Sequence, residues 1–557
     1  MNDTQKQFSG LLLLLFVFIS SLAIGQNSNN FEIGKNLDIF STTYKELNIN
    51  YVDEVKPGEL METAIDAMLK TLDPYTVYIP ESEIEDVKFI TTGQYGGIGA
   101  LIQKQNDYVV ISEPYEGKPA QKAGLKAGDI LLEIDGKSAK GKSTSDVSAI
   151  LKGQAGTSVN LKFERPGDEN PIEMKLVREN VKIDNIPYYG MVSDNVGYIK
   201  LTGFTRNAGN EVKDAFVKLK GEHDLKGIIL DLRGNGGGLL QEAVNISNIF
   251  VDKDEVIVST KGKLASKNHT YRTAKSAIDN DIPLVVLVDG NSASASEIVA
   301  GAIQDLDRGV IIGERTFGKG LVQNVIPLTY NSQMKITVAK YYIPSGRCIQ
   351  EIDYSHKDKS GHSEKVPDSL ITAFKTKNGR TVYDGGGIEP DIKSERDEMS
   401  KLSMSLFTNF LFFDFATKFA LENKEIAPPD EFVITDEIYQ DFIHYISDKD
   451  YEYTTQCEET LEDLKEHAEE EGYFDSISGE YDTLFKKFEE NKKGDIAKNE
   501  DEIKKILRFE IVSRYYYQKG KIISSLSDDK GIKKAIGVID ANDNYLAILH
   551  NGGSSNK

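Results

Sequence analysis

At 557 residues the chain exceeds what one hydrophobic core usually supports, so three or more domains are expected. Its 88 acidic against 66 basic side chains give a net charge of −22, which argues against nucleic acid or an anionic membrane surface as the main partner. Two isolated cysteines (Cys348 and Cys457) make no disulfide framework, and seven scattered histidines without an H-E-x-x-H pattern make no metal site, so neither a metal nor a cofactor is expected.

Residues 1–25 carry Lys6, an apolar stretch from Leu11 to Ser20 with a tail to Ile24, and the small residues Ala23 and Gly25 before Gln26. That pattern reads as an export signal cut after Gly25, placing a soluble product in the periplasm or cell envelope; an uncleaved anchor is the alternative. Residues 26–88 read as an N-terminal helical region: Leu37, Phe40, Tyr44 and Leu47, then Leu60, Ala64, Met68 and Leu72, recur at helical spacing. Asp73-Pro74 ends the second helix.

The composition changes at Gly93. From 89 to 182 short β-type runs (Asp107 to Ser112, Ile130 to Ile134, Ser158 to Glu164) alternate with glycine turns and one helical segment near 144 to 152, which describes a small, partly open barrel. This stretch resembles a PDZ domain through Gly124-Leu125-Lys126-Ala127-Gly128-Asp129-Ile130-Leu131 and Asp135-Gly136. The resemblance implies that Gly96, Gly97, Ile98 and Gly99 form a loop whose backbone N–H groups receive a peptide's terminal carboxylate, with the peptide added as a strand. Read alone, these glycines serve tight turns.

From 183 to 396 strands and helices alternate: strands Val196 to Leu201, Gly227 to Leu232 and Leu284 to Val288, helices Ala208 to Lys220 and Leu239 to Phe250. Repeated units of this kind indicate a layered α/β core with ligand loops at the strand C-termini. The third strand leads through Asp289-Gly290-Asn291-Ser292 into a helix that begins near Ser294. A serine there can be a simple cap, or a nucleophile if a base lies nearby, since a helix start favours an oxyanion. The candidate base is Lys319, between Gly318 and Gly320, with Phe317, Leu321 and Val322 available to dry it. A lysine serves near neutral pH only if its pKa falls by roughly three units, at a cost of about 4 kcal/mol. Gln323 can orient the amine or be an ordinary strand residue. The glycine loop Gly234 to Gly238 lacks nucleotide-binding spacing.

These segments, together with Leu72-Asp73-Pro74, Asp231-Leu232-Arg233-Gly234-Asn235, Ser294-Ala295-Ser296-Glu297-Ile298, Tyr341-Tyr342-Ile343-Pro344-Ser345-Gly346-Arg347 and Gly387-Ile388-Glu389-Pro390-Asp391, resemble the C-terminal processing peptidases, or tail-specific proteases. The resemblance covers about 35 to 392. It implies a multidomain α/β protein: a ClpP/crotonase-like protease core, an inserted PDZ domain, N-terminal helices and a C-terminal helical extension. It implies a serine endopeptidase with Ser294 as nucleophile, Lys319 as general base and Gln323 as its orienting partner. The implied oxyanion hole is the N–H of Ala295 with that of a glycine at 236–238, Gly237 being favoured. Its substrates are proteins or peptides with accessible C-termini; an adaptor protein and proximity to a membrane stay open. The rival is a catalytically silent PDZ-containing binding or adaptor protein on the same fold, in which one of the two key side chains should be missing.

The remaining stretch, 397–557, reads as an acidic helical domain. Residues 451–500 hold 16 acidic and 6 basic side chains, while Ile503, Ile506, Leu507 and Ile511 keep helical spacing.

Overall fold

Two strands decide the architecture. Gly227–Asp231 and Leu284–Val288 are buried along their whole length, so apolar side chains project from both faces and both faces need a cover. In the computed structural model, which describes residues 30–357, 362–395 and 398–551, they lie at the centre of a six-stranded sheet. Its order is Tyr188–Met191, Val196–Lys200, Gly227–Asp231, Leu284–Val288, Val310–Gly313 and Ile392–Lys393. The first pair is antiparallel and the others are parallel. The reading of residues 1–25 as an export signal lies outside the described residues.

Alternate side chains of these strands sort into two cores. Ile228, Leu230, Val286 and Val288 meet the helices Ala208–Glu222, Leu240–Phe250 and Ala295–Asp305. Ile229, Val285, Leu287 and Ile312 face the opposite way, onto Ile532, Ala535, Ile539, Tyr545 and Leu549 of the helices Lys530–Asp540 and Asn542–Asn551. The sequence reading kept 397–557 together as one helical unit; its last two helices lie on the peptidase sheet. The crossover helices fill only one face, and burying each large aliphatic side chain contributes about 1.5–3 kcal/mol, so the other face draws its cover from the end of the chain.

A second, antiparallel sheet lies beside the first and contains Leu321–Pro327 and Gln333–Tyr342, which pair as a hairpin, with Val256–Gly262 and His269–Arg272. Its outer strand, Val77–Ile79, pairs with Gln333–Tyr342 and departs from the helical reading of 26–88. The cause is local. After Pro74 the Asp73 carboxylate accepts the N–H groups of Tyr75 and Thr76, both at 2.8 Å, which turns the chain out of the helix Pro57–Lys70 and into extended backbone. The next helix, Ile84–Thr92, runs past residue 88 and stops at Gly93, whose φ of +67° suits a helix end.

The glycine-rich module is a sheet in the order Ala100–Gln105, Tyr108–Pro114, Ile130–Ile134, Ser158–Glu164 and Ile172–Val177, packed on the helix Thr144–Leu151. Ser143 and Asp146 cap that helix reciprocally. The module rests on the helical region that follows the core. Gln105 Nε2 donates to both oxygens of Asp414 (3.1 and 3.0 Å), Lys521 pairs with Glu113 at 3.1 Å, and Gln121 Nε2 donates to the Tyr517 hydroxyl at 3.1 Å. That region is held by Phe412, Phe415, Phe442, Leu507 and Ile511, with Phe412 stacked on Phe442. Among the described residues no helix is long and apolar enough to cross a membrane.

Candidate active site

Ser294 stands where the strand Leu284–Val288 gives way to the helix Ala295–Asp305, as its N-cap, with φ +56° and ψ −110°. A positive φ is rare for a residue with a side chain and persists only where its surroundings over-determine it. Here they do. Asp289 Oδ1 accepts the N–H groups of Gly234 (2.9 Å) and Asn291 (3.0 Å). Ser292 Oγ lies 2.9 Å from the Leu232 carbonyl and accepts the Asp289 N–H at 3.0 Å. The buried Asn235 takes the Ala293 N–H and the Ser296 hydroxyl on its carbonyl, at 3.0 and 2.8 Å.

The residue that joins the two candidate groups is Glu297, to which the sequence motif alone assigns no role. Its carboxylate is fully buried and accepts four donors: the N–H groups of Ser294 (2.8 Å) and Lys319 (2.9 Å) on Oε2, the Gly318 N–H (2.7 Å) and the Thr316 hydroxyl (2.6 Å) on Oε1. Burial pushes the carboxyl up to about 7, against the four hydrogen bonds that favour the anion. A glutamate three residues after a helix-starting serine signals a capping box; that its second oxygen reaches the lysine loop is a tertiary fact. Tyr341 adds another tie, its hydroxyl lying 2.6 Å from the Lys319 carbonyl and 3.2 Å from that of Ser294.

Lys319 is flanked by glycines for a steric reason. A Cβ on Gly318 (φ +83°) would lie 2.6 Å from Glu351 Cβ, and one on Gly320 would lie 2.8 Å from the Gln350 N. The side chain is partly buried, and burial first, then the charge of Lys335, draws the amine below its ordinary range; Glu297 and Asp73 oppose the shift. Its Nζ sits 4.2 Å from the centroid of the Tyr75 ring. Phe317, expected to dry the base, is 47% exposed, while Leu321 is buried. Gln323 follows a register slip between Val322 and Gln323, and its Nε2 donates to Thr337 Oγ1 at 3.3 Å.

The glycine loop touches the nucleophile. A Cβ on Gly237 would lie 2.9 Å from both Ala295 N and Ser294 Cβ. Its own N–H, however, donates to Asn235 Oδ1 at 2.9 Å. The loop is anchored from behind: Arg233 reaches Asp231 at 2.6 Å and Asp529 at 2.9 Å, and Lys200 lies 3.2 Å from Asp231. Burial would raise the Asp231 carboxyl, but the charges of Lys200 and Arg233 and the hydrogen bonds of Arg233 and Tyr198 hold it well below the usual range.

In the glycine-rich module, Gly96 and Gly97 belong to a strand paired with Glu179–Lys182, and the carbonyls of Ile98 and Gly99 accept the N–H groups of Ala120 (2.8 Å) and Tyr115 (2.9 Å). Gly99 has φ +73°, and a Cβ there would lie 2.5 Å from Lys118 Cβ. Among the described residues no group of three or more His, Cys, Asp or Glu side chains is placed to hold a metal ion.

The chain is similar to known peptidases along most of its length. Residues 195–356 match the family described as "Peptidase family S41". The "Carboxy-terminal-processing protease" of Bartonella bacilliformis is 36% identical over 341 residues, which span 61% of this chain and 77% of that protein. The chain belongs to peptidase family S41. Residues 110–165 of the peptidase match the PDZ domain, 402–539 a helical domain described as "Probable PDZ-protease, C-terminal helical domain", and 19–83 the "Activating protease CtpB N-terminal domain". A "Probable CtpA-like serine protease" of Staphylococcus aureus is 35% identical over 342 residues, or 61% of this chain and 67% of that one. Among solved structures, the "Photosystem II D1 C-terminal processing protease" aligns with 30% identity over 64% of this chain and 92% of its own, at a TM-score of 0.36. The protein is a serine peptidase with an α/β core, a PDZ domain and a C-terminal helical domain.

Proposed function

We propose that this S41 peptidase is an exported endopeptidase that takes up C-terminal regions of protein substrates through its PDZ domain and cleaves them with a Ser294–Lys319 dyad. The observation that carries the dyad is the Glu297 carboxylate, which binds the main-chain N–H of both residues and so fixes one loop against the other. A partly buried amine drawn below its ordinary range supports Lys319 as the base. The relatives' names support processing at C-termini.

In the first step Ser294 Oγ bonds to the substrate carbonyl carbon while its proton passes to Lys319 Nζ. The C–N bond then breaks, and the ammonium returns that proton to the departing amine, leaving an acyl-serine. Water then adds to the acyl carbon and gives a proton to Lys319 Nζ, the bond from the acyl carbon to Ser294 Oγ breaks, and the ammonium returns the proton to Oγ as the acid departs. The oxyanion is received by the Ala295 N–H, in the first turn of a helix where amides have no intrahelical acceptor, and by the glycine loop. Gly237 serves there by exchanging Asn235 Oδ1 for the oxyanion. Gln323, anchored on Thr337, orients the amine, and Gly96, Gly97, Ile98 and Gly99 border the PDZ site for the substrate carboxylate. Residues 1–25 supply the export signal.

The test is hydrolysis of an unfolded reporter protein with an apolar C-terminus by wild type, Ser294→Ala and Lys319→Ala, with fragments sized by mass spectrometry. Each variant is expected to lose roughly 10⁴-fold or more in kcat. Hydrolysis by Lys319→Ala at the wild-type rate rejects the dyad.

A further inference from the structure

The mechanism above leaves one contact of the lysine unused. Lys319 Nζ lies 4.2 Å from the centroid of the Tyr75 ring, and among the described residues its ammonium has no carboxylate at ion-pair distance. The ring comes from the N-terminal part of the chain and is fixed from several sides. Asp73 holds the N–H groups of Tyr75 and Thr76, Thr76 Oγ1 donates to Asp73 at 3.0 Å and accepts the Thr337 N–H at 3.2 Å, and Val77 pairs with Lys335. The Tyr354 ring meets Tyr75 edge-on, with centroids 6.0 Å apart and planes at 89°. An aromatic face presented to a cation at this distance attracts it through the ring quadrupole, and the attraction grows as water is excluded.

We infer that Tyr75 is a positioning residue for the base: its ring face seats the Lys319 ammonium and stabilises the charged amine that forms when Ser294 gives up its proton. This rests on the assignment of Lys319 as base. The amine faces three further charges, Lys335 on the strand Gln333–Tyr342, Glu297 on the helix Ala295–Asp305 and Asp73 on the turn before Tyr75; the Tyr75 hydroxyl is engaged by Tyr354 and that of Tyr341 by the Lys319 carbonyl. Burial and Lys335 favour the neutral amine; Glu297 and Asp73 favour the charged one. The ring adds to the second group. It therefore moderates the desolvation that makes the lysine a base and stabilises the transition state in which the proton has arrived.

Removing the ring face should change two quantities together. Proton affinity falls, so the acid limb of kcat/KM moves to lower pH; the ammonium also loses its seat, so the plateau falls. For Tyr75→Leu the full-length peptidase should show the limb about one pH unit lower and a plateau reduced several-fold in kcat with KM little changed. Tyr75→Phe, which keeps the ring, should leave the limb where wild type has it. Should the leucine variant not fold, Tyr75→Met removes the ring at similar volume. A limb that stays in place while only the plateau drops means that Tyr75 merely supports the fold, and overturns the inference. Full hydrolysis by Lys319→Ala overturns the base assignment and this inference with it, whereas loss of activity in that variant beside an unmoved limb in Tyr75→Leu sinks the ring alone.

Discussion

The serine and lysine loops reach the same point by different means. On the serine side, turn and glycine loop share hydrogen bonds through Asp289, Ser292 and Asn235, which together hold Ser294 in left-handed backbone. On the lysine side the main chain is fixed equally well, by Glu297 and Tyr341, but the ammonium itself rests on a ring. A nucleophile needs an exact approach, which hydrogen bonds supply. A base needs a particular proton affinity, which burial, a like charge and an aromatic face adjust without consuming the lone pair that must receive the proton.

The most damaging way to break this comparison is at the carboxylate both loops share. Glu297→Gln puts an amide group, itself a donor, opposite N–H donors, and should cost at least 10²-fold in kcat, read from kinetics. The same residue sets a pH dependence. Its carboxyl is raised to about 7 from the ordinary 4.5, so between those values the folded protein keeps a proton that the unfolded chain has lost. Its contribution to stability is then full below pH 4.5 and is lost as pH rises to about 7, up to about 3 kcal/mol. Activity should run the other way, since protonation takes an acceptor from one of four donors. Comparing unfolding free energies and kcat of wild type and Glu297→Gln from pH 4.5 to 8 checks both signs.

A smaller effect is expected behind the serine side. Asp529 accepts from Arg233 and also caps the helix Lys530–Asp540 through the Ile532 N–H. Asp529→Asn keeps the cap and removes the charge, which should cost about 1–3 kcal/mol in thermal unfolding and a modest fraction of kcat. The smallest change is Gln323→Ala, which should lower kcat by about 20–30% with little change in stability, since it removes one long hydrogen bond to Thr337. An unchanged kcat would reduce Gln323 to a partner of Thr337.

Much of this arrangement is legible in sequence. Ile130–Ile134, Ser158–Glu164 and Leu284–Val288 have the expected bounds because each is a short run closed by turn-forming residues. Ser294 and Lys319 stand out because glycines and small residues mark places where backbones come close. What sequence hides is partnership between distant segments. Val77–Ile79 is too short to show a strand period, and its pairing depends on a hairpin far along the chain. Glu297 reads as a helix cap, which it is, while its bonds to Gly318 and Thr316 exist only after folding. Of Phe317, Leu321 and Val322, the candidates for a dry wall, Leu321 is buried and Phe317 exposed, and it is Tyr75, far from them in sequence, whose ring meets the amine. Ile532 and Ile539 show an amphipathic helix without naming the sheet they cover.

That last cover has a consequence for the order of assembly. Translation runs from the amino end, so Ile229, Val285, Leu287 and Ile312 have no lid until the helices Lys530–Asp540 and Asn542–Asn551 have been made. Completion of the catalytic sheet therefore waits for a segment made long after its own strands to fold back onto it.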